Sequence, residues 1–460
     1  FGFFPLFFLL YFIVPYRWKN GCALLGSLFF YAWGGPKFVF VLLASITVDY
    51  FLALGMRTEN GKKRRNLLII GLILNVGLLA YFKYANFFVD NLNAFLGWFG
   101  IGQLGWTEVV LPIGISFFTF QKISYLVDVF RKVKEPLSRW TGHALFVILF
   151  PQLIAGPIVR FKEIADEIRD RRANLNYEEK LLGLFRFSIG LAKKVMIANP
   201  MGAVADGIFD KVSDPTGIQA WVAMIAYTFQ IYFDFSGYSD MAIGLGRMMG
   251  FHFPENFNFP YLSKSITEFW RRWHITLSSW MRDYLYIPLG GNRKGESRTY
   301  INLWTVFLIS GLWHGASWNF VIWGGYHGFW LVTERLFLMR YLERIPNFVR
   351  VFWTFGLAMV GWLLFRLTDL GLVGSYLQAL LIPTGNVVDL DPSTITVFFL
   401  AMIFSFWNVN SWTHHVEKQV YSLASVHKTV FVASMTLLLF WTSAIGVISS
   451  DFNPFIYFRF

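Results

Sequence analysis

Cysteine is almost absent from this 460-residue chain, since Cys22 is the only one. A single cysteine excludes a disulfide framework and any metal site built from several thiolates. The sequence also lacks the G-x-S-x-G, H-E-x-x-H and G-x-x-x-x-G-K-[ST] motifs, so the common templates of serine hydrolases, zinc proteases and P-loop nucleotidases do not apply. No two histidines are spaced for a metal site on one helix face, and no metal is expected.

Charged residues are also scarce, at 15% of the chain, whereas 55% of residues are hydrophobic and 20% are aromatic. That balance excludes a soluble globular protein and predicts a polytopic membrane protein of the all-α class. The net charge of +12 resides in short loops between apolar runs. There the basic residues are typical of topology signals and of surfaces for anionic headgroups, so we expect a lipid bilayer and no nucleic acid as partner.

Apolar runs separated by charge clusters predict nine to twelve membrane spans in a single domain, residues 1–460. The basic residues 62–65 are expected to face the cytoplasm, and the segment 85–108, which has no Lys or Arg, is expected outside together with the N-terminus. Residues 146–158 are broken by Pro151 and by Gly156 and Pro157, which predicts a re-entrant segment. The predicted spans and hairpin arms are residues 3–14, 22–33, 38–56, 67–82, 109–130, 181–198, 220–235, 300–313, 318–332, 351–365, 394–407 and 430–448.

The stretch from Tyr261 to Gly328 is where chemistry is expected, within a catalytic core at about 232–330. Its first part predicts one amphipathic helix that starts at an S-x-x-E capping box, Ser265 and Glu268. An apolar stripe recurs along it at helical spacing, and His274 falls at the edge of that stripe, where an apolar surface meets a wet one. The stripe consists of Ile266, Phe269, Trp270, Trp273, Leu277, Trp280, Met281 and Tyr284.

His314 lies between two apolar runs, 300–313 and 318–332, that predict a hairpin with its tip inside the membrane. The glycines beside it allow close approach of the two backbones. A lone histidine within a membrane is more often structural, but the glycine-flanked tip and the neighbouring tryptophans favour a catalytic role. A neutral imidazole there accepts a proton from an alcohol. His327, on the second arm, is expected to pack.

Other ionisable residues within the apolar runs need a role, because a charge inside a membrane is costly. Lys122 and Asp128 share one predicted span. We expect Lys193 and Lys194 to snorkel or to pair helices. Two aspartates flank a glycine break, where they are expected to cap helix ends or to bond the backbone: Asp234 and Asp240. The remaining histidines, which have no motif around them, are His143, His252, His414, His415 and His427.

Several motifs together resemble the membrane-bound O-acyltransferase superfamily, and within it the bacterial polysaccharide branch typified by alginate O-acetyltransferase. The two that carry most of the resemblance are FWRRWHITLSSWMRDYLYIPLGGNRKG and GLWHGASWNFVIWGGYHG. Others are LPIGISFFTFQKISYLVDVFR from Leu111, FPQLIAGPIVRF from Phe150, and YFDFSGYSDMAIGLGRMMGF from Tyr232, followed by ENFNFPYLSKSITEFW. The resemblance implies a ring of transmembrane and re-entrant helices around a central funnel.

The resemblance also implies the site and its substrates. His314 matches the near-invariant histidine of the family, and His274 matches its second polar position, so His314 is expected to be the general base. The implied donor is cytoplasmic acetyl-CoA, whose phosphates would suit Arg271, Arg272 and Arg282, with Arg293 and Lys294 beside them. In this branch an extracytoplasmic SGNH-hydrolase-like partner receives the acetyl group for an exported polysaccharide, at the bacterial inner membrane.

Three alternatives remain open at this point. Within the superfamily, D-alanyl transfer to teichoic acid is the nearest. A transporter for polysaccharide or lipid-linked sugar would show inverted repeats, and none is visible. A polyprenyl-linked glycosyltransferase would carry an acidic residue in an early external loop, where this chain offers Asp90 and Glu108.

Overall fold

The computed structural model describes residues 2–382, 384–385, 388–408, 413, 419, 423, 425–449 and 454–456. Helices form the regular structure of these ranges, and no β-strand occurs within them. The predicted all-α class is therefore confirmed. Helices suit an apolar chain because each one satisfies its own backbone N–H and C=O groups without water.

Four of the described helices are long and apolar enough to cross a membrane: Phe38–Thr58, Gly61–Trp98, Asn347–Arg366 and Val426–Ser449. The second has 38 residues, or roughly 57 Å of helix, nearly twice the ~30 Å hydrocarbon core. A bilayer of that thickness would hold only part of this helix at a time if the helix crossed it upright. These helices indicate a membrane protein, while the count of nine to twelve spans stays a prediction.

Contacts between Cα atoms group the chain into two compact units, Phe1–Lys180 with Leu245–Pro254, and Leu181–Gly244 with Glu255–Phe460. The assignment of residues 1–460 to one domain stays a prediction. In the first unit the helices are Phe3–Ile13, Tyr16–Gly34, Phe38–Thr58, Gly61–Leu79, Ala85–Trp98, Ile115–Phe130, Trp140–Ile148, Phe150–Leu153 and Phe161–Arg169, with a π-helical turn Ala80–Tyr84 and a 3₁₀ turn Arg172–Asn174. Tyr177–Ala192 begins in this unit and continues into the second.

The second unit contains the predicted catalytic stretch. Its helices are Asn199–Phe209, Gly217–Met248 (which ends in the first unit), Ile266–Arg272, Ile275–Met281, Glu296–His314, Trp318–Thr333, Met339–Leu342, Asn347–Arg366, Leu370–Leu381, Pro392–Ser405 and Val426–Ser449. A 3₁₀ turn spans Pro260–Leu262, and π-helical turns span Lys193–Ala198, Arg282–Tyr286 and Glu334–Leu338. Buried aromatic side chains dominate the core, among them Phe269, Trp273, Trp323 and Trp362.

The predicted apolar spans correspond closely to observed helices. When the π-helical turns are counted with the helices that they continue, no predicted span extends more than two residues beyond an observed helix, except that residues 109–114 of the fifth are not helical. The predicted break at 146–158 is also present, because the helix Trp140–Ile148 stops at Leu149 and is followed only by the short helix Phe150–Leu153. Its re-entrant placement stays a prediction.

The predicted break beside Gly237 is wrong, because the helix Gly217–Met248 runs through it without interruption. Gly237 instead allows this helix to pack closely against another. A Cβ at Gly237 would collide with the carbonyl oxygen of Gly190, and a Cβ at Gly190 would collide with that of Gly237. The two helices therefore touch backbone to backbone at this point.

Beside that crossing, ion pairs join the same two segments. The ammonium of Lys193 lies 2.6 Å from a carboxylate oxygen of Asp240, and Lys194 pairs with Asp234. Asp234 also accepts a hydrogen bond from the backbone N–H of Ile456. Helix pairing, one of the two roles expected for these lysines, is confirmed.

Candidate active site

The stretch predicted as one amphipathic helix is two short helices. Ile266–Arg272 ends at Trp273, and Ile275–Met281 starts immediately after His274. The break occurs because His274 adopts a left-handed backbone conformation, with φ 44° and ψ 53°. For a residue with a Cβ this conformation costs about 1 kcal/mol or more, and such strain persists only where neighbouring contacts enforce it.

Two carboxylates organise the start of the first helix. Ser265 Oγ accepts a hydrogen bond from the N–H of Glu268 at 3.0 Å, as the capping box predicts. The reciprocal bond differs, because the Glu268 carboxylate accepts from the N–H of Lys264 instead of Ser265. The buried carboxylate of Glu334 accepts from the N–H groups of Ile266 and Thr267. Negative charge at a helix N-terminus stabilises it, and this helix leads directly to His274.

His274 is fully buried. The prediction that it lies at a wet edge is therefore wrong, because the break in the helix turns it away from the position that a continuous helix would give it. Its Nδ1 lies 3.0 Å from Oδ1 of Asn256. The ring of Phe235 meets the imidazole edge-on at a centroid distance of 4.7 Å.

His314 is the last residue of the helix Glu296–His314, and the helix Trp318–Thr333 returns beside it. The predicted hairpin is confirmed. A Cβ at Gly311 would overlap the carbonyl oxygen of Phe320, and one at Gly324 would overlap that of Phe307. Glycine at both positions thus permits the close backbone approach that the sequence indicated. The depth of the tip in a membrane stays a prediction.

The aromatic cage, as we call the rings around His274, His314 and His327, consists of Phe235, Trp270, Trp313, Trp323 and Phe365. The His314 ring lies 5.0 Å from Trp323 and 5.3 Å from Phe365, measured between ring centroids. Trp313 connects the two predicted catalytic residues, because its ring lies 4.9 Å from His314 and 6.2 Å from His274. The fold thus brings together two histidines that are 40 residues apart in sequence, and it leaves His314 7% exposed.

His327 is in the cage as well, and it packs there as predicted. Its Nδ1 accepts a hydrogen bond from Nε1 of Trp270 at 3.4 Å, and the rings of Trp323 and Trp270 both lie 5.0 Å away. Of the other histidines, His143 and His252 belong to the first unit, and His427 is exposed near the start of the helix Val426–Ser449. His414 and His415 lie outside the described residues.

The predicted phosphate-binding arginines differ in their surroundings. Arg271 is exposed, and so is Arg282, whose Nε lies 2.8 Å from Asp283. Arg272 is partly buried and pairs with Glu268 one helical turn away. An exposed guanidinium is accessible to a polyanion, whereas Arg272 is partly buried against its carboxylate partner. On exposure, Arg271 and Arg282 therefore suit such a role better than Arg272, although Arg282 would have to exchange Asp283 for the polyanion.

Two polar residues that shape the site were not singled out from the sequence. Asn256 belongs to the ENFNF segment, which carried the resemblance as a motif but offered no titratable group. Glu334 stands after the second hairpin arm, where a carboxylate looks like an ordinary surface residue. Neither has a periodic signal, since each contacts its partner only through the tertiary fold.

Comparison with known proteins identifies the family of this chain. Residues 143–367 match the sequence profile of MBOAT, the membrane-bound O-acyltransferase family. A probable alginate O-acetylase AlgI of Pseudomonas putida is 41% identical over all of this chain and 98% of its own length. This chain belongs to the membrane-bound O-acyltransferase family. It is an O-acyltransferase of the membrane, and the matched range contains His274, His314 and the cage around them.

Other relatives of the family differ in the substrates that their names state. The peptidoglycan O-acetyltransferase of Helicobacter pylori is 43% identical over 80% of this chain and 76% of its own length. The teichoic acid D-alanyltransferase of Bacillus subtilis is 29% identical over 54% of this chain and 65% of its own. The resemblance inferred from the motifs is thus confirmed, with the acetylating relatives matching more of the chain at higher identity.

Proposed function

We propose that this protein takes acetyl groups from cytoplasmic acetyl-CoA and moves them across the bacterial inner membrane for O-acetylation of an exported, alginate-like polysaccharide. The observation that carries the proposal is that His314 and His274, from separate segments, meet in one aromatic cage. The names of the relatives that match the whole chain support acetyl as the acyl group and a polysaccharide as its destination.

In this proposal His314 acts as the general base. Its neutral imidazole takes the proton of an acceptor hydroxyl, and the hydroxyl oxygen attacks the carbonyl carbon of the thioester. The carbon–sulfur bond then breaks, and the coenzyme A thiolate leaves with the proton returned from the imidazolium. The indole N–H of Trp323, buried beside His314, has no acceptor within the described part of the chain. It is a suitable donor to the oxyanion that forms in between.

The remaining parts of the proposal concern the donor and the route. Arg271 and Arg282 would hold the coenzyme A phosphates, with Arg272 joining them if it leaves Glu268. An extracytoplasmic SGNH-hydrolase-like partner would receive the acetyl group and modify the polymer. That route needs a passage through the helices, which is the central funnel that the family resemblance implies.

The test is replacement of His314 by alanine in the full chain, purified into lipid nanodiscs. We measure the release of coenzyme A thiol from acetyl-CoA in the presence of partner and polymer. The expected loss is about a hundredfold to ten-thousandfold, which is the usual contribution of a general base, with little change in melting temperature. Transfer at the wild-type rate by a folded His314→Ala protein would reject His314 as the base.

A matched control is His143→Gln. His143 is also fully buried, but it lies in the first unit, where the centroid of its ring is 4.1 Å from that of Tyr125. Because it is outside the cage, its replacement should leave the transfer rate per folded molecule unchanged. An equal loss in both variants would show that any buried histidine matters for folding, not for chemistry.

A further inference from the structure

In the loop before the first short helix, Asn256 bonds directly to the strained turn at His274. The backbone carbonyl of Asn256 accepts from the N–H of Ile275 at 2.9 Å. Its side-chain oxygen accepts from the hydroxyl of Thr276 at 2.8 Å and from the N–H of the same residue at 3.3 Å. Asn256 therefore binds three consecutive residues of the turn, His274, Ile275 and Thr276. These hydrogen bonds explain how the left-handed conformation of His274 is maintained.

The orientation of the Asn256 amide follows from these contacts. The backbone N–H of Thr276 can only donate, so the atom facing it must be the oxygen. The amide nitrogen then points the other way, where it donates to Oγ of Ser239 at 3.0 Å. Flipping the amide would set an NH₂ group against a backbone N–H, which the geometry does not allow.

We propose that Asn256 is a positioning residue that fixes the tautomer of His274. Because Oδ1 of Asn256 only accepts, the proton of the neutral ring resides on Nδ1, 3.0 Å away. The other nitrogen, Nε2, then carries a lone pair. Whatever approaches Nε2 must bring a proton, as an acceptor hydroxyl does and a thioester carbonyl does not. His274 thus orients the hydroxyl substrate and does not polarise the thioester.

This inference rests on the proposed function and is tested with three variants of the full-length protein in nanodiscs. Asn256→Ala removes the acceptor, and the transfer rate should fall on the order of tenfold to a hundredfold, as for other residues that orient a functional histidine. The KM for acetyl-CoA should change little, because the hydroxyl side is affected. A large rise in that KM with kcat unchanged would overturn the assignment.

Asn256→Asp keeps an acceptor at the same position and adds a negative charge. The His274 ring contacts Asn256, Phe235 and Trp313, whose side chains carry no charge. A carboxylate there would stabilise the imidazolium and move the acid limb of the kcat/KM profile to higher pH, by about one unit or more. An unshifted limb in an active Asn256→Asp protein would contradict the proposal.

Tyr261→Phe is the matched control. It removes another buried hydrogen bond, 2.7 Å long, between the same loop region and the carbonyl of Thr228. Its melting temperature should fall, while kcat and the pH profile stay at wild-type values. If it lowers kcat as much as Asn256→Ala does, the role of Asn256 is merely structural.

A measurement without substrate separates this inference from the proposed function. On acidification the melting temperature of Asn256→Asp should rise relative to wild type, because the new carboxylate pairs with protonated His274. That result would support the contact even if no acetyl transfer from acetyl-CoA were found. If the difference in melting temperature between Asn256→Asp and wild type stayed constant across pH, the contact between residue 256 and His274 would be rejected, whichever reaction the protein catalyses.

Discussion

Two buried polar clusters, one in each unit, are built in opposite ways. In the first unit Lys122 and Asp49, each 1% exposed, form an ion pair of 3.3 Å. Asn75 completes it by donating to both carboxylate oxygens, at 2.9 and 3.0 Å. In the second unit the cage encloses three histidines, and its walls are rings without charge. A carboxylate facing its cation and an amide donor suits a structural role, whereas imidazoles packed among uncharged aromatic rings suit proton transfer.

The same contrast appears in how helices are joined. The ion pair in the first unit lies on Phe38–Thr58 and Ile115–Phe130, and Asn75 adds Gly61–Leu79 to it. Asp128, on the same helix as Lys122, accepts from the backbone N–H of Lys162. In the second unit the hairpin arms are instead joined by glycine contacts, which bring the backbones together without charge. Charge thus joins these helices of the first unit, whereas close backbone packing joins the two hairpin arms.

The largest expected effect on stability comes from breaking the ion pair. Asp49→Ala leaves the Lys122 ammonium buried without its carboxylate, which should cost about 3–5 kcal/mol of unfolding free energy. The double variant Asp49→Leu with Lys122→Met should recover much of that loss. Thermal unfolding in detergent measures both. Acetyl-transfer activity per folded molecule should persist in both variants. Complete loss of that activity would show that the ion pair of the first unit has a chemical role as well as a structural one.

The next prediction tests whether close backbone packing holds the hairpin arms of the second unit together. Gly311→Ala forces a methyl group against the carbonyl of Phe320 and should cost about 1–3 kcal/mol, as overpacking does, with reduced activity because His314 is three residues away. Gly356→Ala is the matched control, since a Cβ there meets nothing within 4 Å. It should be neutral or slightly stabilising. Equal melting temperatures for the two variants would show that the hairpin arms tolerate separation.

The smallest expected change in stability comes from replacing His252, at the surface of the first unit. Its Nδ1 lies 2.8 Å from Glu167 and its Nε2 3.3 Å from Glu179. The hydrogen bond with Glu167 raises the pKa of His252 above its usual value. The stabilisation is therefore fully present below about pH 6.5, the pKa of an unperturbed histidine, and it is lost as pH rises through the higher folded-state pKa.

His252→Gln should accordingly lower the melting temperature in mildly acidic buffer and have no effect in alkaline buffer. With about half of the side chain exposed, solvent screening keeps the contribution below about 1 kcal/mol. The check is a series of melting curves of both proteins across that pH range. A difference that grows with pH would contradict the sign derived from the two glutamates.

Much of the fold could be predicted because hydrophobic length is a local property of the chain. Runs such as 38–56 and 351–365 correspond to Phe38–Thr58 and Asn347–Arg366 with small shifts at the ends. The hairpin around His314 was predictable for the same reason, because two apolar runs flank a glycine-rich turn. The motifs around His314 and His274 also named the family, which the comparisons confirm.

The errors share one cause, which is that contacts between distant segments override a local pattern. The apolar stripe after Ser265 is helical in period, yet Asn256 and the strain at His274 divide the helix. Gly237 looks like a break, yet the facing backbone at Gly190 explains the glycine and the helix continues. In both places the deciding partner lies far enough along the chain that no periodic pattern records it.

By itself the sequence determined the all-helical class, the membrane character, the hairpin that carries His314 and the family, because each depends on composition or on residues close together along the chain. Only the tertiary structure decided that His274 is buried in a left-handed turn, that Asn256 holds it there, and that Asp49 is the partner of Lys122. Those facts depend on hydrogen bonds and ion pairs between distant segments, and such contacts become visible only once the helices have packed.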